Sequence, residues 1–184
     1  MKIITDLKVI KRLGKLRQAE NDDFRMYVRE LPFSIKTIDR AVESAYGMVS
    51  QKVDCTHCAN CCRMLNPTLT LSDARRLAKH LGKTFKAFTD HYLQRIQQGK
   101  KEILIFQKRP CPFLKKNRCT VYAARPRDCK SYPHLHRRGF VFRVRQAVEN
   151  YDCCPIVFNT YEALKDKLAR RIRPAALSKK DRSR

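Results

Sequence analysis

Residues 54–62 read DCTHCANCC, with Cys55, Cys58, Cys61 and Cys62 packed into one short stretch. Sulfurs at two-residue gaps constrain this fold more than any apolar pattern in the chain. A Cys-x-x-Cys segment forms a tight turn that brings both thiolates toward one point. That suits a tetrahedral zinc, with Zn–S bonds of about 2.3 Å, or neighbouring corners of an iron–sulfur cube. Cys61 and Cys62 are adjacent, so their Cα atoms are about 3.8 Å apart and their side chains are expected to diverge. The simplest reading has Cys61 facing one centre and Cys62 facing a second group of sulfurs.

The later cysteines supply that second group. Cys111, Cys119 and Cys129 fall in one proline-rich, loop-like stretch, and Cys153–Cys154 repeats the adjacency. In bacterial ferredoxins three closely spaced cysteines are joined by a remote one followed by proline. Here Cys111 precedes Pro112 and Cys154 precedes Pro155, so either suits that role. The local fourth position of a ferredoxin is Leu65, which argues against a ferredoxin proper. Eight thiolates make two four-sulfur centres or one bridged polynuclear centre, and spacing does not choose between them.

The compartment follows from the rest of the chain. Its first residues lack the apolar run and small-residue cleavage site of a signal peptide. No apolar run approaches the roughly 20 residues that span a bilayer. The expected location is the cytoplasm, where clustered cysteines are ligands or redox groups more often than disulfides. An odd total of nine also fits a disulfide framework poorly. The formal charge of +24 calls for an anionic partner: nucleic acid, the ribosome, anionic lipid or an acidic protein.

Three segments are expected: a basic helical lead-in at 1–50, a cysteine-cluster metal domain at 51–158, and a C-terminal helix with a disordered basic tail at 159–184. Ile35, Ile38, Ala41, Val42, Ala45 and Met48 have helical spacing. Thr70 or Ser72 caps a helix over 68–82 that Gly82 ends, and Thr84 caps another over 83–99. Residues 102–106 read as a strand. So does 139–147, where Phe140, Phe142, Arg143 and Arg145 suggest a stacking and phosphate-contact face. Asn159 and Glu162 look like the capping box of a last helix over 159–172. The fold class is therefore α+β: small, mainly helical and loop-rich, organised around metal, with short strands.

The joint pattern CTHCANCC, CPFLKKNRCTVYAARPRDCKSYP and CPIV resembles the CxxCxxCC zinc- or iron-chelating family, the YkgJ-type cysteine cluster proteins, over roughly residues 50–157. The resemblance implies an iron–sulfur cluster or zinc held by Cys55, Cys58, Cys61, Cys62, Cys111, Cys119, Cys129 and Cys154. Lys130 stands where the family usually has arginine, which keeps the charge but loses the guanidinium fork. The family includes a flagellin lysine methylase with an iron–sulfur cluster. This chain has no evident Gly-rich cofactor loop, so that activity is not carried over.

Around Cys129, Arg125, Arg127 and Lys130 can offset thiolate charge, and Tyr122 and Tyr132 can shield the site. His57, His134 and His136 are secondary candidates, as a substitute ligand or as proton carriers near it. The function expected first is a redox or structural metal-binding protein, iron–sulfur ahead of zinc. Its rivals are an iron–sulfur enzyme modifying a protein substrate, as in lysine methylation, and a zinc-stabilised RNA- or ribosome-binding module.

Overall fold

The computed structural model describes the backbone of residues 2–180 and the side chains of residues 2–169 other than His57. The chain opens with helices α1 (Leu7–Leu16), α2 (Gln18–Glu30) and α3 (Ile35–Ser50). The cysteine stretch forms two short turns of helix, α4 (Cys55–Cys58) and α5 (Asn60–Met64). Helices α6 (Leu71–His80) and α7 (Phe85–Tyr92) follow, then hairpin strands β1 (Leu93–Gln98) and β2 (Lys101–Phe106). A two-residue-strand hairpin, β3 (Leu114–Lys115) and β4 (Arg118–Cys119), leads to α8 (Arg127–Ser131). The chain ends with α9 (Phe140–Glu149) and α10 (Pro155–Lys180). The class is α+β and mainly helical, with short antiparallel strands, as expected.

Two compact units share the chain. Among the described residues, 2–53 and 133–180 form one, and 54–132 form the other.

The first unit is helical. Ile38, Ala41, Val42, Ala45 and Val49 line the buried side of α3, while Ile35 and Met48 face solvent. Phe140, Val144 and Ala147 do the same for α9. Residues 139–147 are thus a helix and not the expected strand. Phe140–Arg145 alternates, but Phe140, Val144 and Ala147 also fit a helical stripe, and that stripe is the one buried. Asp39 decides the start: its carboxylate accepts the backbone N–H groups of Gly139 and Phe140 at 2.8 and 2.9 Å. The proposed stacking face does not exist, because Phe140 is buried and Phe142 exposed. Arg143 instead donates to the His134 and Arg138 carbonyls at 2.9 and 3.1 Å.

Helix α10 begins at Pro155, earlier than expected, because proline is pre-organised for the first helical position. Asn159 is therefore buried inside the helix and is not its cap. Its side chain clasps the N-terminal segment, accepting from Ile4 N–H at 2.9 Å and donating to Ile4 C=O at 2.7 Å. Glu162 accepts from Tyr151 Oη at 2.7 Å and pairs with Arg17 and Lys165. The helix continues to Lys180, past the expected end at 172 and into the expected tail; residues 181–184 lie outside the described residues.

Glycine is required at position 14. A Cβ there would lie 2.5 Å from Asp152 Cβ and 3.2 Å from its Cα. Gly14→Ala should therefore lower the unfolding free energy by about 1–3 kcal/mol in a urea titration, the usual cost of overpacking. An unchanged midpoint would show that the 151–152 turn yields freely.

The second unit packs Leu69, Ala74, Leu77, Phe88, Leu93, Leu104, Phe106, Phe113, Val121 and Ala124 into one core. Thr70 caps α6 in a capping box with Asp73, and Thr84 caps α7. The expected helix over 83–99 stops at Tyr92. Leu93–Gln98 pairs with Lys101–Phe106 across a two-residue turn at Gly99, whose φ is +59°. A helix continuing through 98 would deny the apolar 103–106 strand its ladder partner and leave backbone groups unpaired.

Candidate metal centre

The first four thiols owe their placement to one unusual backbone residue. The Asp54 carboxylate accepts the N–H of Thr56 at 2.8 Å and starts the single turn of α4. Ala59 then adopts a left-handed conformation, φ +50°, and is almost fully buried. That reversal separates Cys55 and Cys58 on α4 from Cys61 and Cys62 on α5. A non-glycine residue there is uncommon and costs about 1 kcal/mol or more, so the surrounding structure must hold it.

Three further thiols come from three other segments. The backbone N–H of Cys111 donates to the Cys62 carbonyl at 2.8 Å, tying the second stretch to the first. Cys119 lies on β4 opposite Leu114, in a hairpin turned by Lys116 and Asn117, both at positive φ. Both φ values positive is the pattern of a type I′ turn, which matches strand twist. Cys111 and Cys119 pack against the apolar core of the unit.

Cys129 sits in α8, and its support is polar. Asp73, buried in α6, accepts the Arg127 backbone N–H at 3.1 Å. It also accepts from the Thr70 hydroxyl at 2.8 Å and from Arg76. Arg76 reaches on to the Ala124 and Arg125 carbonyls at 3.3 and 3.1 Å. Asp128 accepts the Thr68 N–H at 3.2 Å. The RPRDC segment is thus fixed to α6 through Asp73 Oδ1 and Arg76, while Asp73 Oδ2 serves the Thr70 cap.

The electrostatics gather these thiols into one group. A hydrogen bond from Cys61 pulls Cys62 down to about 7 against its own burial, and Arg63 and Arg125 reinforce it. Burial pushes Cys111 up to about 11, and the Cys62 and Cys119 charges add to that. Burial pushes Cys129 up to about 12, with Cys111, Cys62 and Cys119 among the repelling neighbours. Cys119 is raised by burial and by Cys62, with Arg125 opposing. Cys62, Cys111, Cys119 and Cys129 therefore form one charge-coupled quartet. The expected divergence of Cys61 from Cys62 does not hold, since Cys61 remains within hydrogen-bond reach of its neighbour.

Arg63 was not singled out in the sequence. It follows Cys62 directly, donates to the Cys58 carbonyl at 3.0 Å and bonds Asn117, so it braces the whole stretch. A cation next to a thiolate candidate was the available signal. Of the expected countercharges, Arg125 acts on Cys62 and Cys119. Lys130 is exposed, and Arg127 contributes its backbone to Asp73. Tyr122 is 52% exposed, with the Arg125 guanidinium 3.9 Å above its ring, so it does not seal the site.

Cys154 belongs to the other unit. It is buried immediately before Pro155, and its carbonyl accepts the Phe158 N–H at 2.8 Å as α10 begins. Its proline thus starts a helix. His134 and His136 also lie in that unit. His134 is buried at positive φ, while burial and then the Arg137 charge lower the His136 pKa. The His57 side chain lies outside the described residues.

All nine cysteines are thiols, with no disulfide. Among the described residues, no three His, Cys, Asp or Glu side chains stand in a group that would hold a single metal ion as they are placed. The chemistry of the donor set nevertheless fits a thiophilic metal. Four partly buried thiols from four segments act on one another electrostatically, each thiolate charge being penalised by burial or by its neighbours. A cation removes both penalties.

The thiols should differ sharply in reactivity when no metal is present. Cys62 is lowered to about 7 while Cys111 and Cys129 are raised, so Cys62 offers the larger thiolate share at neutral pH, and only the thiolate attacks an alkylating reagent. Iodoacetamide at pH 7 should label Cys62 at least tenfold faster than Cys129, as read by peptide mass spectrometry. Equal rates would show that the Cys61 bond and the arginines do not act on Cys62.

A helix-and-hairpin unit that concentrates thiols from four segments in this way defines a cysteine-rich metal-chelating domain. Residues 54–155 match the model of the CxxCxxCC family, described as a "putative zinc- or iron-chelating domain", and the chain belongs to that family. No curated protein and no solved structure matches the chain. Among the described residues no helix is long and apolar enough to cross a membrane.

Proposed function

We propose that the 54–132 unit holds an iron–sulfur cluster through Cys62, Cys111, Cys119 and Cys129. Cys55, Cys58 and Cys61 would complete a second or enlarged ligand set. One observation supports this reading: Cys129 feels the charges of Cys111, Cys62 and Cys119, so thiols from four segments act on one another. The two-residue gaps among Cys55, Cys58 and Cys61 and the proline after Cys111 favour a cluster over a single zinc ion.

When bound, such a cluster supplies one-electron redox chemistry. The chain's own part is to hold and insulate it. Arg63 and Arg125 favour the thiolate of Cys62. The core around Phe88, Phe106 and Phe113 backs Cys111 and Cys119 and limits water on that side. Binding also ties the 55–62, 111–119 and 127–131 segments together, so the metal is structural as well.

Iron, acid-labile sulfide and zinc should be measured on anaerobically purified protein together with its visible spectrum. The expected result is coloured protein with iron and sulfide in equal amounts. Colourless protein with stoichiometric zinc overturns the iron–sulfur reading and leaves chelation standing. Protein that takes up neither metal overturns both.

A further inference from the structure

Helix α1 carries a line of charge that the metal centre does not use. Lys8, Lys11, Arg12 and Lys15 follow the spacing i, i+3, i+4, i+7, which places all four on one helix face. All four are exposed. Helix α1 contains no acidic residue, and among the described residues none of the four has an ion-pair partner. Of the acids around it, Asp152 packs against Gly14 and lines one cleft with Lys15, at the C-terminal end of the stripe, while the others are engaged elsewhere, Glu149 with Arg145 at 2.9 Å among them. Asp6 caps the helix backbone, Glu20 pairs with Lys165 at 2.6 Å, and Asp22 pairs with Arg25 at 3.4 Å. The opposite side of α1 is packed, with Ile10 fully buried.

We propose that this face of α1 binds the phosphodiester backbone of a nucleic-acid strand. Seven residues of helix span about 10 Å, enough for several successive phosphates, and lysine and arginine side chains suffice for such contacts. Charge complementarity selects this partner over two others. A protein partner needs an apolar anchor at the centre of its interface, and Leu16 is the only large exposed apolar side chain on α1. A membrane-surface helix needs a free apolar face to insert, and here that face is buried in the unit. A strand of phosphates needs neither.

The test uses the full chain and a fluorescent single-stranded oligouridine. Binding is followed from 50 to 200 mM salt for the wild type and for Lys8→Gln/Lys11→Gln/Arg12→Gln/Lys15→Gln. Glutamine matches lysine and arginine in helix propensity, so melting should be unchanged. Each lost phosphate contact flattens the slope of log affinity against log salt by about 0.7. The quadruple variant should therefore flatten it by about 2–3 and bind at least about tenfold more weakly at 50 mM salt.

A charge-matched control, Lys79→Gln/Lys83→Gln/Lys100→Gln/Lys115→Gln, should retain the wild-type slope. Should the α1 variant misfold, lysine acetylation of the wild type supplies the answer: oligouridine should protect Lys8, Lys11 and Lys15. Equal loss in the control, no binding at 50 mM salt, or no protection of these lysines overturns the proposal. So does stronger binding to phosphatidylserine vesicles at equal phosphate, which would make the stripe a lipid contact. None of these outcomes bears on the metal centre, whose readout is metal content.

Discussion

Cys129→Ser should strip the protein of its metal. The affinity should fall by at least about two orders of magnitude, since even loss of a group behind a ligand typically costs ten- to a hundredfold. The reason is positional. Cys129 feels the charges of Cys111, Cys62 and Cys119 at once, so its sulfur belongs to all of their surroundings. Serine keeps the size but gives up the soft thiolate that zinc or iron–sulfur ligation requires. Cys153→Ser is the control. Cys153 is buried and donates to the Asn150 carbonyl at 3.5 Å, so its loss should leave metal content unchanged. Metal analysis of the two variants checks the pair. If Cys129→Ser retains a full complement, the quartet is not the ligand set.

Asp73→Ala should be the most damaging substitution away from the sulfurs. The carboxylate is almost fully buried and takes hydrogen bonds from Thr70, Arg76 and the Arg127 backbone. Alanine removes the capping box of α6 and leaves the Arg127 N–H without its partner. About 2–4 kcal/mol is the expected loss, from a lost cap plus an unsatisfied buried donor. Because Arg127 begins α8, the same change loosens Cys129, and metal affinity should fall with stability.

The acid dependence of Asp73 has a definite sign. Burial raises its pKa, but the bonds from Thr70, Arg76 and Arg127 outweigh this and hold it below the usual carboxylate range. Its contribution is therefore complete above the unfolded value near 4 and is lost as pH falls through the lower folded value. Asp73→Asn should remove that part of the acid sensitivity, measured by urea midpoints at pH 7 and pH 3. A variant as stable as wild type at pH 7 would contradict the anchoring role.

What the sequence made legible was chemistry more than conformation. The family is legible in the joint cysteine pattern, from CTHCANCC to CPIV. Helices α3 and α6 identify themselves by an apolar stripe and by the Thr70 cap. Residues 93–98 failed because LQRIQQ carries no strand signal of its own; its conformation is imposed by pairing with KEILIF. Residues 139–147 failed because alternation and a helical stripe coexist there, and Asp39, a hundred residues away, settles the matter. Asn159 failed for the same kind of reason, since its partner is Ile4. Arg63 and Asp73 support the site through contacts with Asn117, Arg127 and other residues distant in sequence.

The central claim is that thiols from four separate segments of the 54–132 unit ligate one metal centre. The most direct measurement is alkylation of denatured protein, mapped residue by residue, with metal bound and after its removal by chelator under reducing conditions. Rapid denaturation in excess reagent keeps ligated sulfurs distinguishable from merely buried ones while the centre persists. The expected result is that Cys62, Cys111, Cys119 and Cys129 are protected only while metal is present, whereas Cys153 labels equally in both samples. Equal labelling of the four with and without metal would contradict the account.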